Sequence, residues 1–267
     1  MAVSSSSATR RHVAGGLSLT DEGEGPAVLL LHGIGGNARS CTALGSVLAG
    51  RGVRALAWDA PGYGESADPA GADDVDHVAR VLAVLDELDL DRVDLVGTSW
   101  GGVVATVVAA RHPDRVRTLV LADSTRGSGT SPAKAATMRA RVADLVAQGP
   151  EAFAAARAPK LVAPGCDPAV AEAVRAEMAR VRPAGYEGAA EFMAATDTSS
   201  LLPSITVPTL VLVGEHDTVT GVEESRLLAD RIPGARFVLV PDAGHAAVTE
   251  RPAEVAAAVL DFWRTVA

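Results

Sequence analysis

The sequence predicts an α/β domain built on a mostly parallel, doubly wound sheet. Short β-branched runs alternate with longer helical patterns along its 267 residues. Most of those runs are apolar on both faces, as strands covered by helices on either side must be. Several end in Gly- or Asp-rich turns, which places chemistry-bearing residues at the carboxyl edge of such a sheet. Composition agrees: 48% hydrophobic and 21% charged residues suit a chain with a sizeable core, not a disordered one.

In chain order, residues 11–19 read as an antiparallel edge hairpin. Residues 26–31 form an apolar strand ending in the loop His32-Gly-Ile-Gly-Gly36. Residues 53–58 form the next, stopped by Asp59-Ala-Pro-Gly-Tyr-Gly64, and strands follow over 93–96, 118–122, 209–213 and 236–240. The 3.6 spacing of Val75, Val78, Ala79, Leu82, Leu85 and Leu88 predicts a helix over 73–90, with Asp73 or Asp74 placed to cap it. Residues 100–112 are dense in Gly, Ala and Val and predict a buried helix ended by Pro113. An amphipathic helix over 252–266 closes the chain.

The rhythm breaks between residues 126 and 203, where helical patches are separated by Gly149-Pro150, Pro164-Gly165 and Arg182-Pro-Ala-Gly185. An all-helical insertion after the sixth strand reads as a cap over the carboxyl edge, or else as a helical excursion with no role in binding. The cap reading divides the chain into core (1–125), cap (126–204) and core again (205–267).

A net charge of −9 argues against a phosphate-backbone binder, so no nucleic-acid partner is expected. Cys41 and Cys166 are far apart and in no metal-ligand spacing, which excludes a disulfide framework and a zinc site. No apolar run approaches a membrane span, and residues 1–11 lack the apolar stretch of a secretory signal, so a cytoplasmic protein is expected. Neither glycine-rich loop matches a dinucleotide or phosphate-binding fingerprint, and no cofactor or metal is expected.

The segment Gly97-Thr-Ser-Trp-Gly101 is G-x-S-x-G, lying directly between a predicted strand and a predicted helix. That placement is what a nucleophile elbow requires: small residues let strand and helix approach while Ser99 projects above the sheet. The plain alternative makes Ser99 a helix cap. A serine hydroxyl needs a base. Of His12, His32, His77, His112, His216 and His245, only His245 sits in a loop after the last strand, within reach of the same edge. His77 and His112 read as surface or helix-end residues. Asp217, after the strand over 209–213, is the favoured acid to orient His245, and Asp123, after the strand over 118–122, is its rival. The order Ser99, Asp217, His245 is the one this motif set favours. The backbone N–H groups of Ile34 and Trp100 are the expected oxyanion donors. The segment 59–66 reads as a turn shaping the pocket floor. With few rings in the chain, Trp100 and Tyr186 are candidates for contact with substrate.

Taken together, His32-Gly33, Asp59-x-Pro61-Gly-x-Gly64-x-Ser66, Gly97-x-Ser99-x-Gly101, Gly214-x-x-Asp217 and Gly244-His245 resemble the α/β-hydrolase superfamily along nearly the whole chain. Within it, Arg182-Pro-Ala-Gly-Tyr186 and the stretch from Leu201 to Thr209 make the chain most similar to the 3-oxoadipate enol-lactonase and small esterase group. The resemblance implies a Ser-His-Asp hydrolase of carboxylic esters or lactones, with a small-molecule partner. Trp100 departs from the Met or Leu usual after the nucleophile. The serine itself argues against the aspartate chemistry of dehalogenases and epoxide hydrolases. Two further readings stay open. One is hydrolysis of C–C bonds in vinylogous diketones, against which Gly35-Gly36-Asn37 replaces the Gly-Pro-Gly of that group's loop. The other is a non-catalytic ligand-binding protein on the same fold.

Overall fold

The computed structural model describes residues 8–71 and 75–266. Eight strands form one sheet: β1 (Thr9–Val13), β2 (Leu17–Glu22), β3 (Ala27–Leu31), β4 (Arg54–Asp59), β5 (Val93–Thr98), β6 (Val116–Ala122), β7 (Thr209–Gly214) and β8 (Arg236–Val240). Their spatial order is β1-β2-β4-β3-β5-β6-β7-β8. The sheet is parallel from β4 through β8, while β1 and β2 form the antiparallel edge hairpin. The α/β class and mostly parallel sheet expected from the sequence are those observed.

Two apolar cores lie on opposite faces of the sheet, which is why β3 and β7 are buried at every position. One core takes Leu44 and Leu48 of α1 (Thr42–Ala49) and Val255, Val259 and Phe262 of α9 (Pro252–Val266). The other takes Val81 and Leu85 of α2 (His77–Glu87), Val104 and Val108 of α3 (Trp100–Arg111), and Leu228 of α7 (Val222–Arg231). Helix α3 is buried continuously from Trp100 to Ala109; its all-round apolar sequence leaves no wet face.

Between β6 and β7 the chain is helical: α4 (Pro132–Arg157), α5 (Pro168–Met178) and α6 (Pro183–Ala195). Helix α4 is two segments joined at Gly149, whose φ of 76° no helix accommodates, followed by Pro150, which lacks the amide a helix needs. Near the other end of the chain lies α8 (Ala247–Glu250), a single turn before α9.

Two details of α2 differ from the expectation. It starts later, with Asp76 as its cap, the carboxylate accepting from Ala79 N–H at 3.0 Å; Asp73 and Asp74 lie outside the described residues. His77 does begin the helix but is buried, its ring edge-on to Trp100 (centroids 4.9 Å apart) and to Phe192 of α6 (5.4 Å). A helix far along the chain covers it, so local pattern shows nothing of that burial.

Burial holds the His77 imidazole down at about 4, the Gly188 backbone and Asp76 only partly opposing. Between that value and the ordinary 6.5, the unfolded chain binds a proton here that the fold refuses. Stability from this site is therefore complete above about pH 6.5 and is lost as pH falls toward 4. Urea unfolding at a series of pH values should show a shallower acid decline for His77→Phe than for wild type, and identical slopes would contradict it.

Candidate active site

The turn from β5 into α3 brings two backbones together with no room for side chains. A methyl at Gly97 would lie 2.4 Å from the Gly101 carbonyl oxygen, and one at Gly101 would lie 2.4 Å from that of Leu31. This closure forces Ser99 to φ 53° and ψ −117°, a backbone strain of about 1–3 kcal/mol that surrounding bonds must hold. They do: Ser99 N–H donates to the Ala122 carbonyl at 2.9 Å, and the Ser99 carbonyl accepts from Gly102 N–H and Ser124 Oγ, each at 3.0 Å.

The strained turn presents Ser99 Oγ to His245 Nε2 at 3.0 Å, and His245 Nδ1 lies 3.0 Å from Asp217 Oδ2. All three side chains are buried, yet Ser99 and His245 border a cavity of about 550 Å³. Asp217 Oδ1 accepts from Val219 N–H at 2.7 Å and Thr220 N–H at 3.1 Å, and Thr220 Oγ1 donates to Oδ2. Burial pushes this carboxyl up, but the bond and charge of His245 and the donors from Thr220 and Val219 outweigh it. Asp217 comes to rest at about 2. An ionised Asp217 selects the tautomer with the proton on Nδ1 and leaves Nε2 free to accept from Ser99.

Asp123 is not part of this chain of contacts. Fully buried at φ 49°, it accepts Gly214 N–H on Oδ1 at 2.8 Å, and burial together with the nearby Asp217 charge pushes it well above the ordinary carboxylate range. Its bonds secure the loops around Asp217: Gly214 ends β7, and Thr220 Oγ1 also reaches the Asp123 carbonyl at 3.2 Å.

The loop after β3 lies against Ser99; a methyl at Gly33 would come within 3.4 Å of Ser99 Cβ. His32 anchors it with a fixed tautomer, Nδ1 donating to the Gly33 carbonyl at 2.8 Å and Nε2 accepting from Ala60 N–H at 3.2 Å. Burial depresses the His32 imidazole, which favours that neutral form. Tyr63 Oη donates to the Ile34 carbonyl at 3.0 Å. The amides of Ile34 and Trp100 have no protein acceptor among the described residues; that of Trp100 is the first of α3, where helical bonding leaves donors free.

Segment 59–66 does not form the cavity floor expected of it; no residue of it lines the cavity. It works one layer back. Asp59 accepts from Ala38 N–H at 2.8 Å and Glu65 N–H at 3.0 Å, Ser66 Oγ donates to the Asp59 carbonyl, and Gly64 lies so close to the Asp59 carboxylate that a methyl would collide at 2.2 Å. The motif ties the turn after β4 to the loop after β3.

Trp100 and Tyr186 both border the cavity. The Trp100 indole, however, is fully buried in a ring cluster with His32, Trp58, Tyr63 and His77, so its backbone, more than its ring, faces the site. Glu250, which the sequence does not single out, clamps the His245 loop. Its carboxylate accepts from Gly244 N–H and Ala163 N–H, each at 2.8 Å, while Ala246 N–H donates to the Leu161 carbonyl at 2.8 Å. Among the described residues one trio could gather round a metal ion, Glu215, His216 and Asp242, and all three are exposed to solvent outside the cavity. No helix among the described residues is long and apolar enough to cross a membrane.

A family model for the alpha/beta hydrolase fold matches residues 26–252. The chain is 30% identical to a 2-hydroxymuconate semialdehyde hydrolase of Pseudomonas putida, over 92% of this chain and 89% of that one. Its structure is similar to a thermophilic esterase from Thermogutta terrifontis solved with malate bound (TM-score 0.87, 30% identity, 97% and 99% of the two chains). It is also similar to the enol-lactonase from Burkholderia xenovorans LB400 (TM-score 0.83, 27% identity, 96% and 100%).

The geometry makes Ser99 Oγ an accessible hydroxyl with its proton already directed at a base. A fluorophosphonate should add one adduct per chain, located at Ser99 by peptide mass, and His245→Ala should slow the labelling at least a hundredfold. Labelling elsewhere, or at an unchanged rate in that variant, would break the connection.

Proposed function

The chain belongs to the α/β-hydrolase fold family, and on that premise we propose that it is a serine hydrolase of carboxylic esters or lactones working through an acyl-enzyme on Ser99. The observation carrying this reading is the unbroken chain from Ser99 through His245 to Asp217, at 3.0 Å for each link, on the wall of a cavity.

Ser99 Oγ attacks the scissile carbonyl while its proton passes to His245 Nε2. Asp217 holds the Nδ1 proton and stabilises the imidazolium, its low pKa keeping it charged throughout. The negative charge developing on the carbonyl oxygen meets the free amides of Ile34 and Trp100, preorganised by the His32 anchor and by the start of α3. Collapse breaks the C–O bond, and the leaving alkoxide or enolate takes the proton from His245. Water then repeats the sequence against the acyl group. Helices α4, α5 and α6 act as a cap spanning residues 126–204: they supply one side of the cavity and with it selectivity, Tyr186 among the lining residues. The likeness to a 2-hydroxymuconate semialdehyde hydrolase favours C–C hydrolysis as the second reading, with the same three residues. The loop Gly35-Gly36-Asn37 favours the ester and lactone reading.

A screen of p-nitrophenyl esters, lactones and enol-lactones separates these substrates, with Ser99→Ala as control. Ser99→Ala should abolish p-nitrophenyl butyrate turnover; wild-type rates in it would overturn the mechanism. Asp217→Asn should lower kcat about 10⁴-fold by reversing the imidazole tautomer. Asp123→Asn should cost far less, because burial already favours the neutral form of that acid. A larger loss in Asp123→Asn would reverse the assignment.

A further inference from the structure

Arg141 and Arg157 both belong to α4 and both border the cavity. Sixteen residues apart, they would stand about 24 Å apart on a continuous helix. The reversal at Gly149-Pro150 folds the second segment back, so that each guanidinium acts on the other and both act on the phenol of Tyr186. Both side chains are half-buried, and neither has an ion-pair partner among the described residues. Arg157 lies over the Phe153 ring, 5.2 Å from its centroid, while Arg141 reaches the Met138 sulfur at 3.8 Å and donates toward the Tyr186 hydroxyl. Burial and the charge of Arg141 work against the Arg157 cation. Asp144 and Tyr186 favour the Arg157 cation from nearby but do not outweigh burial and Arg141. No carboxylate among the described residues pairs directly with either guanidinium, so an anion arriving from outside would relieve the pair.

The charge around the cavity agrees. Arg39 and Lys134 border it as well, against two carboxylates, Glu177 and Glu224. Glu224 is paired with Arg126, at 2.9 Å, and Glu177 with Arg180, at 3.5 Å. In a protein of net charge −9 the cavity is thus bordered by more cations than carboxylates, with Arg39 and Lys134 at its exposed rim, and this charge favours an anion there.

We propose that the substrate carries a carboxylate remote from its scissile bond, and that Arg141, Arg157 and the Tyr186 hydroxyl receive it at the cap side of the cavity. Planar guanidinium forks match the two oxygens of a carboxylate, and the phenol adds a third donor. The class this selects is half-esters of dicarboxylic acids and lactones with an acidic side chain. Which bond is cut rests on the serine-hydrolase reading; the anion site does not.

Two measurements on the full chain test it. By calorimetry wild type should bind glutarate, and Arg141→Gln and Arg157→Gln should each weaken that binding at least tenfold. Glutaramide binding as well as glutarate would overturn the proposal, as would no glutarate binding at all. Melting curves check that both variants fold; Arg141, which does not pack on an aromatic ring, is the safer of the two. In turnover, wild type should prefer 4-nitrophenyl hemiglutarate to 4-nitrophenyl pentanoate at least tenfold in kcat/KM. That preference should shrink in raised salt and fall toward parity in the variants. A wild type that cleaves the neutral ester as well as the acidic one overturns the anion site and leaves the hydrolase standing. Arginine-dependent glutarate binding in a chain that cleaves neither ester does the opposite.

Discussion

The contact on which the site depends is the backbone crossing where β5 turns into α3. Gly97 meets Gly101 and Gly102 there, and Gly101 meets the end of β3, at distances that admit hydrogen atoms and nothing larger. Because the two backbones close on one another, the residue between them must take a conformation that L-amino acids avoid, and that conformation lifts Ser99 Oγ out of the sheet. The same closure brings the loop after β3 against the serine, so the Ser99 hydroxyl and the free amide of Ile34 are placed by one event. Everything else at the site is built to meet a serine whose position is already decided.

Asp217 and His245 approach from the other half of the chain, and their support has the same character. Gly214 touches the Gly244 carbonyl, bringing the ends of β7 and β8 together and with them the loops carrying Asp217 and His245. Asp123, buried and inclined to its neutral form, holds Gly214 from below. Two acids thus lie side by side with different duties: one is kept ionised by its donors, the other spends its oxygen on a backbone amide.

Much of this is legible in the sequence wherever a backbone requirement leaves a residue signature. Glycines at 97 and 101 around a serine between strand and helix show such a requirement directly. The two candidate acids are legible as residues at strand ends, and chain order favours the one that meets His245, Asp217; what no spacing shows is that Asp123 turns to the Gly214 amide instead. Segment 59–66 is legible as a turn in form only: its long-range bond to Ala38 is absent from any local spacing. The burial of His77 comes from Phe192 of α6, the inward turn of the Trp100 ring from rings of other core elements, and the meeting of Arg141 with Arg157 from the break inside α4. Contacts between segments so far apart in the chain leave no periodic trace, which is why a lone histidine at a helix start and two arginines on a polar helix look like surface.

The Glu250 clamp separates the helical insertion into two parts with different freedom to change. Ala163 shares the Glu250 carboxylate with the loop of His245, and Leu161 accepts from Ala246 of that loop, so any redesign there would be read out as a displaced imidazole. The two segments of α4 pack on α5 and α6, and residues of both line the cavity. Anyone wishing to alter what this protein accepts, by directed evolution or by drift over generations, has the wider latitude in α4 and the narrower in the short stretch that follows it.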